Sequence, residues 1–151
     1  MNDREYIHYG HDHFDVEIFD TVSNHGGLWV KPGGGLWASP VDAEFGWKDW
    51  NHGSKFVRCD DNNSFTFRLS DEARVLVIDS DEILDGLPQR KEEYKRNMWC
   101  LLDFEKISED YDAIELVLSA DSRLYWSLYG WDCDCILVMN PNVVVEVVKC
   151  T

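Results

Sequence analysis

Two aspartates near the C-terminus, Asp132 and Asp134, stand two residues apart in the run DCDCILVMN. Paired carboxylates are groups that general acid–base catalysis uses to hold positive charge and to accept protons. Because side chains alternate along a strand, both carboxylates would share one face. The same alternation, with Cys133 and Cys135 on the other face, also describes an ordinary amphipathic strand with one solvated side. The run therefore leaves a catalytic pair and a structural strand both open.

A second candidate lies in KPGGGLWASPVDAEFGWKDW, residues 31–50, where three tryptophans follow three consecutive glycines. Long loops in compact domains tend to carry function, because they can close over a ligand. Glycine lets the backbone approach a flat ligand closely, and Trp37 would then cover its face. Trp47 fits a core position and a stacking position equally. The basic residues in or near this stretch either bind an anionic ligand or are ordinary exposed surface residues. They are Lys31, Lys48, Lys55 and Arg58.

The histidines and cysteines carry weaker signals. His8 lies inside an apolar strand, where it is either a satisfied core residue or a ligand-binding group. His11 and His13 form an H-x-H pair, but no third ligand is evident, so we predict no metal site. The five cysteines are odd in number and lack C-x-x-C spacing, which argues against a zinc site or a disulfide framework.

The elements that must position these residues follow from periodicity and capping signals. Residues 4–9 predict a first strand. Ser39 as N-cap and Pro40 at the first helical position predict a helix that runs to about Trp50. A strand follows with Phe65, Phe67 and Leu69 on one face, and then a central strand at 73–79. The next elements are a brief helix through Ile83 and Leu84 and an amphipathic helix over 90–104. The C-terminal part predicts an antiparallel sheet with strands at 111–119, 122–129, 133–140 and 143–149.

Length and charge narrow the class of protein. At 151 residues, the chain is predicted to form a single domain over residues 1–151. Fourteen basic and 29 acidic residues give a formal net charge of −15, which opposes direct nucleic-acid binding. No stretch is apolar enough for a membrane span or a secretion signal, so we expect a cytoplasmic protein that binds no membrane.

Three segments, taken in chain order, resemble the mono-ADP-ribosyltransferase fold of diphtheria-like and cholera-like toxin domains. IHYGHDHF is similar to that family's opening strand, and GGLWASPVDAEFGWKDW to its glycine-led strand and following helix. YDAIELVLS together with DCDCILVMNP resembles its closing acidic strand. The resemblance implies an α+β fold of split antiparallel β-sheets with a few short helices.

The resemblance also implies a function and a set of site residues. The chain would transfer ADP-ribose from NAD, its substrate, to a protein or another macromolecule, as a toxin, an effector or a phage-encoded modifier of host defence that acts in the cytoplasm. Asp134 stands at the catalytic carboxylate, where the family normally has glutamate, and Asp132 is its upstream companion. The residues implied to bind NAD are His8, Tyr9, Gly35, Trp37, Ser39 and Trp47.

Two other functions stay open at this point. An acidic binding protein on the same scaffold could grip a basic or nucleic-acid-processing partner, since tryptophan and tyrosine are favoured at interface hot spots. A sensor could bind NAD-like ligands without reacting, because aspartate is one methylene shorter than glutamate. The sequence specifies neither the acceptor nor the oligomeric state.

Overall fold

The structure is a computed structural model that describes residues 3–24, 30–54, 59–90 and 99–151. Within these ranges seven strands form one sheet. They are β1 (Glu5–Tyr9), β2 (Leu36–Pro40), β3 (Ser64–Leu69), β4 (Val75–Ile78), β5 (Ala113–Leu116), β6 (Cys135–Val138) and β7 (Val144–Lys149). Their order across the sheet is β4-β5-β6-β2-β1-β3-β7. The pair β4 and β5 is parallel, and the other neighbouring pairs are antiparallel.

Short helices and turns connect the strands. The α-helices of the described residues are α1 (Trp47–Ser54), α2 (Asp81–Leu84), α3 (Phe104–Asp110) and α4 (Leu124–Ser127). Single 3-10 turns lie at Val16–Ile18, Asp61–Asn63, Leu118–Ala120 and Pro141–Val143. None of the helices in the described ranges has the length and apolar character that a membrane crossing requires.

Apolar side chains cover both faces of the central strands. On β6, Cys135 and Leu137 enter a first core, whereas Ile136 and Val138 enter a second core on the opposite face. This burial on both sides explains why β5 and β6 read as continuous apolar runs rather than as alternating ones. Cys133 joins Cys135 in the first core, so the two thiols share one face, as the alternation of residues 132–135 predicts.

The predicted mixture of strands and a few short helices is confirmed. The strands predicted around Tyr6, Phe67, Ile114, Leu137 and Val145 are all present, as is the brief helix α2. The predicted split antiparallel sheets are absent from the described residues. Their strands form one continuous sheet that includes a parallel pair. The last strand, β7, also pairs with β3 and not with its neighbours in sequence.

Two strand predictions were wrong in detail. The strand β4 was predicted to be central but lies at the sheet edge, and Val77 is 43% exposed there. Residues 122–129 were predicted as a strand but contain helix α4. Leu124 and Leu128, four residues apart, are both fully buried, while Trp126 between them is exposed. Helical spacing thus fits the buried residues better than alternation does.

The predicted amphipathic helix over residues 90–104 falls largely on residues 91–98, which lie outside the described residues. Residues 99–103 are described and are not helical. A new helix, α3, begins immediately after Asp103, whose carboxylate accepts a hydrogen bond of 3.0 Å from the Lys106 N–H. This side-chain cap starts the helix where the sequence pattern had suggested an end.

Candidate functional site

An aromatic cavity of about 130 Å³ opens where the end of β1 lies beside the start of β2. Its described lining consists of His8, Tyr9, Trp37, Trp47 and Cys59. An apolar cavity of about 150 Å³ can hold a benzene ring, so this space matches one planar ring. Four of the six residues predicted to bind NAD therefore meet at one place, although they come from three separate segments of the chain.

Trp37 is a partly buried platform held by the first core. Its ring meets Trp131 edge-on, with 4.8 Å between the ring centroids. Trp131 is itself 1% exposed and stacks on Phe104 at 6.0 Å. Since its neighbours are fixed in the core, the indole of Trp37 presents a rigid face to the cavity.

Trp47 is the first residue of α1 and serves two purposes. It packs against the first core and also lines the aromatic cavity. Its ring meets Trp50 at 5.4 Å with perpendicular planes. Trp47 thus contacts the core and also lines the cavity, so both alternatives for it, core residue and stacking surface, stay open.

A lysine lies over both tryptophans. The Lys31 Nζ is 5.2 Å from the ring centroid of Trp37 and 5.1 Å from that of Trp47. Both distances fall within the range in which the face of an indole attracts a cation. The two rings therefore form a subsite for positive charge, which we call the tryptophan clasp (Trp37 and Trp47).

Ser39 connects helix α1, which carries Trp47, to Asp134, the residue before β6. The prediction that Ser39 and Pro40 begin a helix was wrong, because both residues end β2. The Ser39 hydroxyl nevertheless accepts a 2.9 Å hydrogen bond from the Trp47 N–H and donates one of 2.9 Å to the Asp134 carbonyl. Gly46, which precedes α1, has no side chain for this purpose. Ser39 therefore caps α1 from a neighbouring strand.

The glycine run is fixed by its surroundings. Gly34 and Gly35 have φ of +74° and +76°, a region that favours glycine. A Cβ at Gly35 would lie 2.3 Å from the Leu137 Cδ1. The Gly35 N–H donates a hydrogen bond of 2.8 Å to the Asp20 carbonyl. Gly35 thus packs against the first core and a neighbouring loop, and the aromatic cavity is lined by other residues.

His8 is hydrogen-bonded through both ring nitrogens. Nδ1 lies 2.7 Å from the Trp37 carbonyl oxygen, which can only accept, so Nδ1 carries the proton. Nε2 lies 2.9 Å from the His11 Nδ1 and is then the acceptor in that pair. Burial lowers the pKa of His8, and the charge of a protonated His11 acts in the same direction, against the opposing hydrogen bond to Trp37. His8 is therefore neutral near pH 7.

Asp134 occupies a different cavity. Its side chain is buried, and its carboxylate accepts hydrogen bonds of 2.9 Å from both the N–H and the hydroxyl of Ser119, and one of 3.4 Å from the Phe45 N–H. It lines a second cavity of about 220 Å³ together with Arg4 and Glu115. Asp132 is partly buried and, like Asp134, precedes β6. The structure thus does not bring the Asp134 carboxylate into the aromatic cavity.

Sequence reasoning missed Glu115, a second buried carboxylate at that cavity. Glu115 is 4% exposed, accepts a 2.8 Å hydrogen bond from the Tyr6 hydroxyl and pairs with the Arg4 guanidinium. Burial, together with the Glu115 charge, raises the pKa of Tyr6 far above its usual value, so this hydroxyl keeps its proton. The sequence feature that could have identified Glu115 is its position as a single acidic residue within the apolar run AIELVL.

A third cavity, of about 330 Å³, shares lining residues with each of the other two. It shares Tyr9 and Trp47 with the aromatic cavity, and Pro40 and Ala43 with the acidic one. Lys48 lines it and forms an exposed ion pair of 3.6 Å with an aspartate. The other two lysine and arginine candidates, at positions 55 and 58, lie outside the described residues.

The H-x-H pair is occupied by local contacts. The His13 Nδ1 lies 2.7 Å from an Asp12 carboxylate oxygen, and His11 stacks on His8 at 5.2 Å. In the described part of the chain, no group of three or more potential metal ligands comes together.

Comparisons with protein-family models, curated proteins and solved structures give no match to this chain. The chemistry of the site must therefore be inferred from its own geometry.

Proposed function

We propose that this chain is an NAD-dependent ADP-ribosyltransferase that modifies a protein or another macromolecule. The observation that carries the proposal is the convergence of His8, Tyr9, Trp37 and Trp47 on one cavity that matches a single planar ring. The segments that resemble the family also lie on four adjacent strands, in the order β5-β6-β2-β1. Side chains far apart in sequence thus surround a space suited to nicotinamide.

The neighbouring cavities suit the rest of the substrate. The nicotinamide ring would enter the aromatic cavity, where the side chains of Trp37 and Trp47 exclude water from it. The ribose and pyrophosphate would follow the cavity of about 330 Å³, where Lys48 supplies positive charge. His8 would donate to or accept from a ribose hydroxyl after exchanging its contact with His11.

The reaction breaks the bond between ribose C1′ and the nicotinamide nitrogen, and it forms a bond from C1′ to a nucleophile of the acceptor. Nicotinamide leaves with the electron pair of the broken bond, and the nucleophile gives up its proton. Because the transition state resembles an oxocarbenium ion, a carboxylate near C1′ lowers the barrier. In this proposal Asp134 supplies that carboxylate, once Ser119 releases it, and Asp132 accepts the proton.

The decisive experiment measures nicotinamide release from NAD in the presence of candidate target extracts, followed by mass spectrometry for one added ADP-ribosyl group. We expect release by the wild type and its loss in Asp134→Asn. Glu115→Gln tests the other buried carboxylate of the same cavity, and Asp110→Asn, an exposed position, is the matched control. Absence of both nicotinamide release and any rise in melting temperature with NAD would reject the proposal.

A second candidate function, a non-enzymatic binding protein, is favoured by a separate observation. Helix α4 and the turn after it expose a cluster of aromatic side chains, in which Tyr125, Trp126 and Tyr129 are 41%, 57% and 47% exposed. Trp99 stacks on Tyr129 at 5.7 Å with nearly parallel planes. Exposed tryptophan and tyrosine are typical of interface hot spots, and the acidic chain would favour a basic partner.

Affinity capture from lysate at low and high salt tests this second function. A charge-driven complex should form without NAD, weaken as salt rises and be lost in Trp126→Ala. Capture that is indifferent to salt and to Trp126 would count against it. A rise in melting temperature with NAD but no turnover would instead indicate a sensor that binds NAD without reacting.

A further inference from the structure

Helix α4 and the turn after it present a contiguous aromatic surface. The Tyr125 ring lies nearly perpendicular to two others, at 5.2 Å from Trp126 and 6.0 Å from Tyr129 between ring centroids. Trp99 extends the surface, because it stacks on Tyr129. We call these four rings the aromatic platform (Trp99, Tyr125, Trp126 and Tyr129). Exposed rings that touch one another, unlike single exposed side chains, mark an interaction surface.

A cavity of about 190 Å³ lies beside the platform, and Trp99 belongs to both. Asp81, Asp85 and Ser127 also line it. The Ser127 hydroxyl donates a hydrogen bond to Asp81, which holds that carboxylate at the wall. Asp85 is exposed, and within the described ranges no residue pairs with its carboxylate. The cavity is larger than the aromatic one, which matches a single ring, so it has room for the head of a basic side chain.

The chain itself balances only part of the acidic charge around this cavity. Residues 79–86, which contain α2, include four acidic residues and no basic one, and residues 121–129, which contain α4, include one of each. The single base, Arg123, pairs with Asp121 at 2.7 Å and with Glu82 at 2.8 Å. The two carboxylates of the cavity, Asp81 and Asp85, therefore have no basic partner among the described residues.

Charge and ring chemistry together favour one kind of occupant. A second copy of this chain is disfavoured, because each copy carries a formal net charge of −15. A basic side chain is favoured, and arginine fits better than lysine. Its planar guanidinium stacks on aromatic rings, pairs with carboxylates through several N–H groups and is more weakly hydrated than an ammonium.

We propose that the aromatic platform and the acidic cavity beside it bind an arginine side chain within a basic segment of a partner protein. The guanidinium lies in the cavity against Trp99 and the carboxylates of Asp81 and Asp85, and Tyr125 and Trp126 cover the neighbouring residues of the segment. The inference rests on the second candidate function, a binding protein, and gives it a recognition chemistry. This cavity shares no described lining residue with the aromatic cavity, so the two sites are separate.

The experiment is an NMR titration of the isotope-labelled protein with three synthetic peptides. They share one sequence and carry arginine, lysine or citrulline, the neutral isostere of arginine, at the same positions. The indole N–H signals of Trp99 and Trp126 report on the platform, and those of Trp37 and Trp47 report on the tryptophan clasp. We expect the arginine peptide to shift the platform signals saturably, the lysine peptide to bind roughly two- to fivefold more weakly and the citrulline peptide to bind weakest.

Two variants and one matched control separate this site from a general effect of charge. Asp85→Asn and Trp126→Ala each remove one contact with the segment and should weaken binding of the arginine peptide by roughly two- to fivefold. Asp110→Asn removes the same charge at an exposed position of α3 and should leave binding unchanged. Both test positions are exposed, and urea unfolding curves establish that each variant is folded.

Equal weakening by Asp85→Asn and Asp110→Asn would assign the binding to net charge and overturn the inference. Unchanged binding in both test variants, shifts confined to the tryptophan clasp, or no binding would overturn it as well. The titration contains no NAD, so its outcome is independent of the test for nicotinamide release. A lysate complex that depends on salt and on Trp126, without any preference for arginine over citrulline, would retain the binding protein and reject this inference.

Discussion

The Ser39 hydroxyl joins the start of helix α1, at Trp47, to Asp134, the residue before strand β6, and the substitution Ser39→Ala removes this link. Ser39 is 2% exposed, and its two hydrogen bonds are both 2.9 Å long. In the variant, the Trp47 N–H at the start of α1 and the Asp134 carbonyl both lose this partner. Both losses fall at the boundary between the aromatic cavity and the acidic one.

The expected cost is the sum of two partly overlapping effects. Loss of a helix N-cap costs about 1 kcal/mol. A buried carbonyl left without its donor costs about 1–3 kcal/mol. Because one oxygen atom makes both contacts, the effects are not fully additive, and we expect Ser39→Ala to lower the free energy of unfolding by about 2–3 kcal/mol.

Urea unfolding, followed by tryptophan fluorescence and by circular dichroism, measures this loss. With a slope of about 1–3 kcal/mol per molar urea, the midpoint should fall by roughly 1 M or more while the slope stays constant. Ser108→Ala is the matched control, because the Ser108 side chain is exposed and its hydroxyl donates only within α3, to the Glu105 carbonyl. We expect the control to change the free energy by less than about 0.5 kcal/mol.

A loss no larger than that of Ser108→Ala would refute the reasoning. It would mean that the Trp47 N–H and the Asp134 carbonyl find other partners at little cost, so that Ser39 does not hold the two segments together. A change in slope would show instead that the substitution altered the compactness of the unfolded or folded state.

Three further outcomes are expected. The lowered pKa of His8 means that the unfolded chain, with an ordinary histidine pKa of 6.5, binds more protons than the folded protein. The free energy of unfolding should therefore fall as pH drops below about 6.5, and His8→Gln should flatten that fall in urea titrations from pH 7.5 to 5; an unaltered profile would contradict it. The Arg74 guanidinium, against the opposing effect of burial, lowers the pKa of Asp112 to about 2 from 3.8. Asp112→Asn should lower the free energy of unfolding by about 2 kcal/mol at pH 7, and this loss should shrink as pH falls from about 4 through 2. A loss that stays constant with pH would exclude the ion pair as its cause. Finally, Gly34→Ala should lower the melting temperature more than Gly130→Ala, because both have positive φ but only Gly34 places its Cβ against a neighbouring carbonyl; equal shifts would show that the contact is relieved.

Much of the sheet could be predicted because strand periodicity is a local property. Phe65, Phe67 and Leu69 are buried on β3 while Thr66 and Arg68 are less so, as their alternation predicts. Side chains spaced by two residues share a face whatever the strand pairs with. The sheet order and the position of β4 at an edge depend on distant partners, and no local pattern encodes them.

Ser39 and Pro40 show that a helix start predicted from the local sequence can be overridden by strand pairing. A serine followed by proline is typical of a helix start, yet Pro40 is the last residue of β2, beyond the residues of that strand that pair with β6. Ser39 does not begin a helix of its own, and its hydroxyl instead accepts from the first N–H of the helix that begins at Trp47, eight residues later. Residues 39 and 40 are in a strand and not in a helix because β2 pairs with β1 and β6. These partner strands are distant in the chain, so the local sequence does not indicate them.

For the candidate site, the sequence by itself determined which chemical groups are available: two indoles, a histidine, a lysine and a pair of aspartates. Tertiary structure decided which of them meet. It placed Trp37, Trp47 and Lys31 together, and it enclosed the Asp134 carboxylate among the donors of Ser119 and Phe45. The physical reason is that side-chain direction follows from local backbone geometry, whereas burial and contact follow from which strands pair and which faces the core covers.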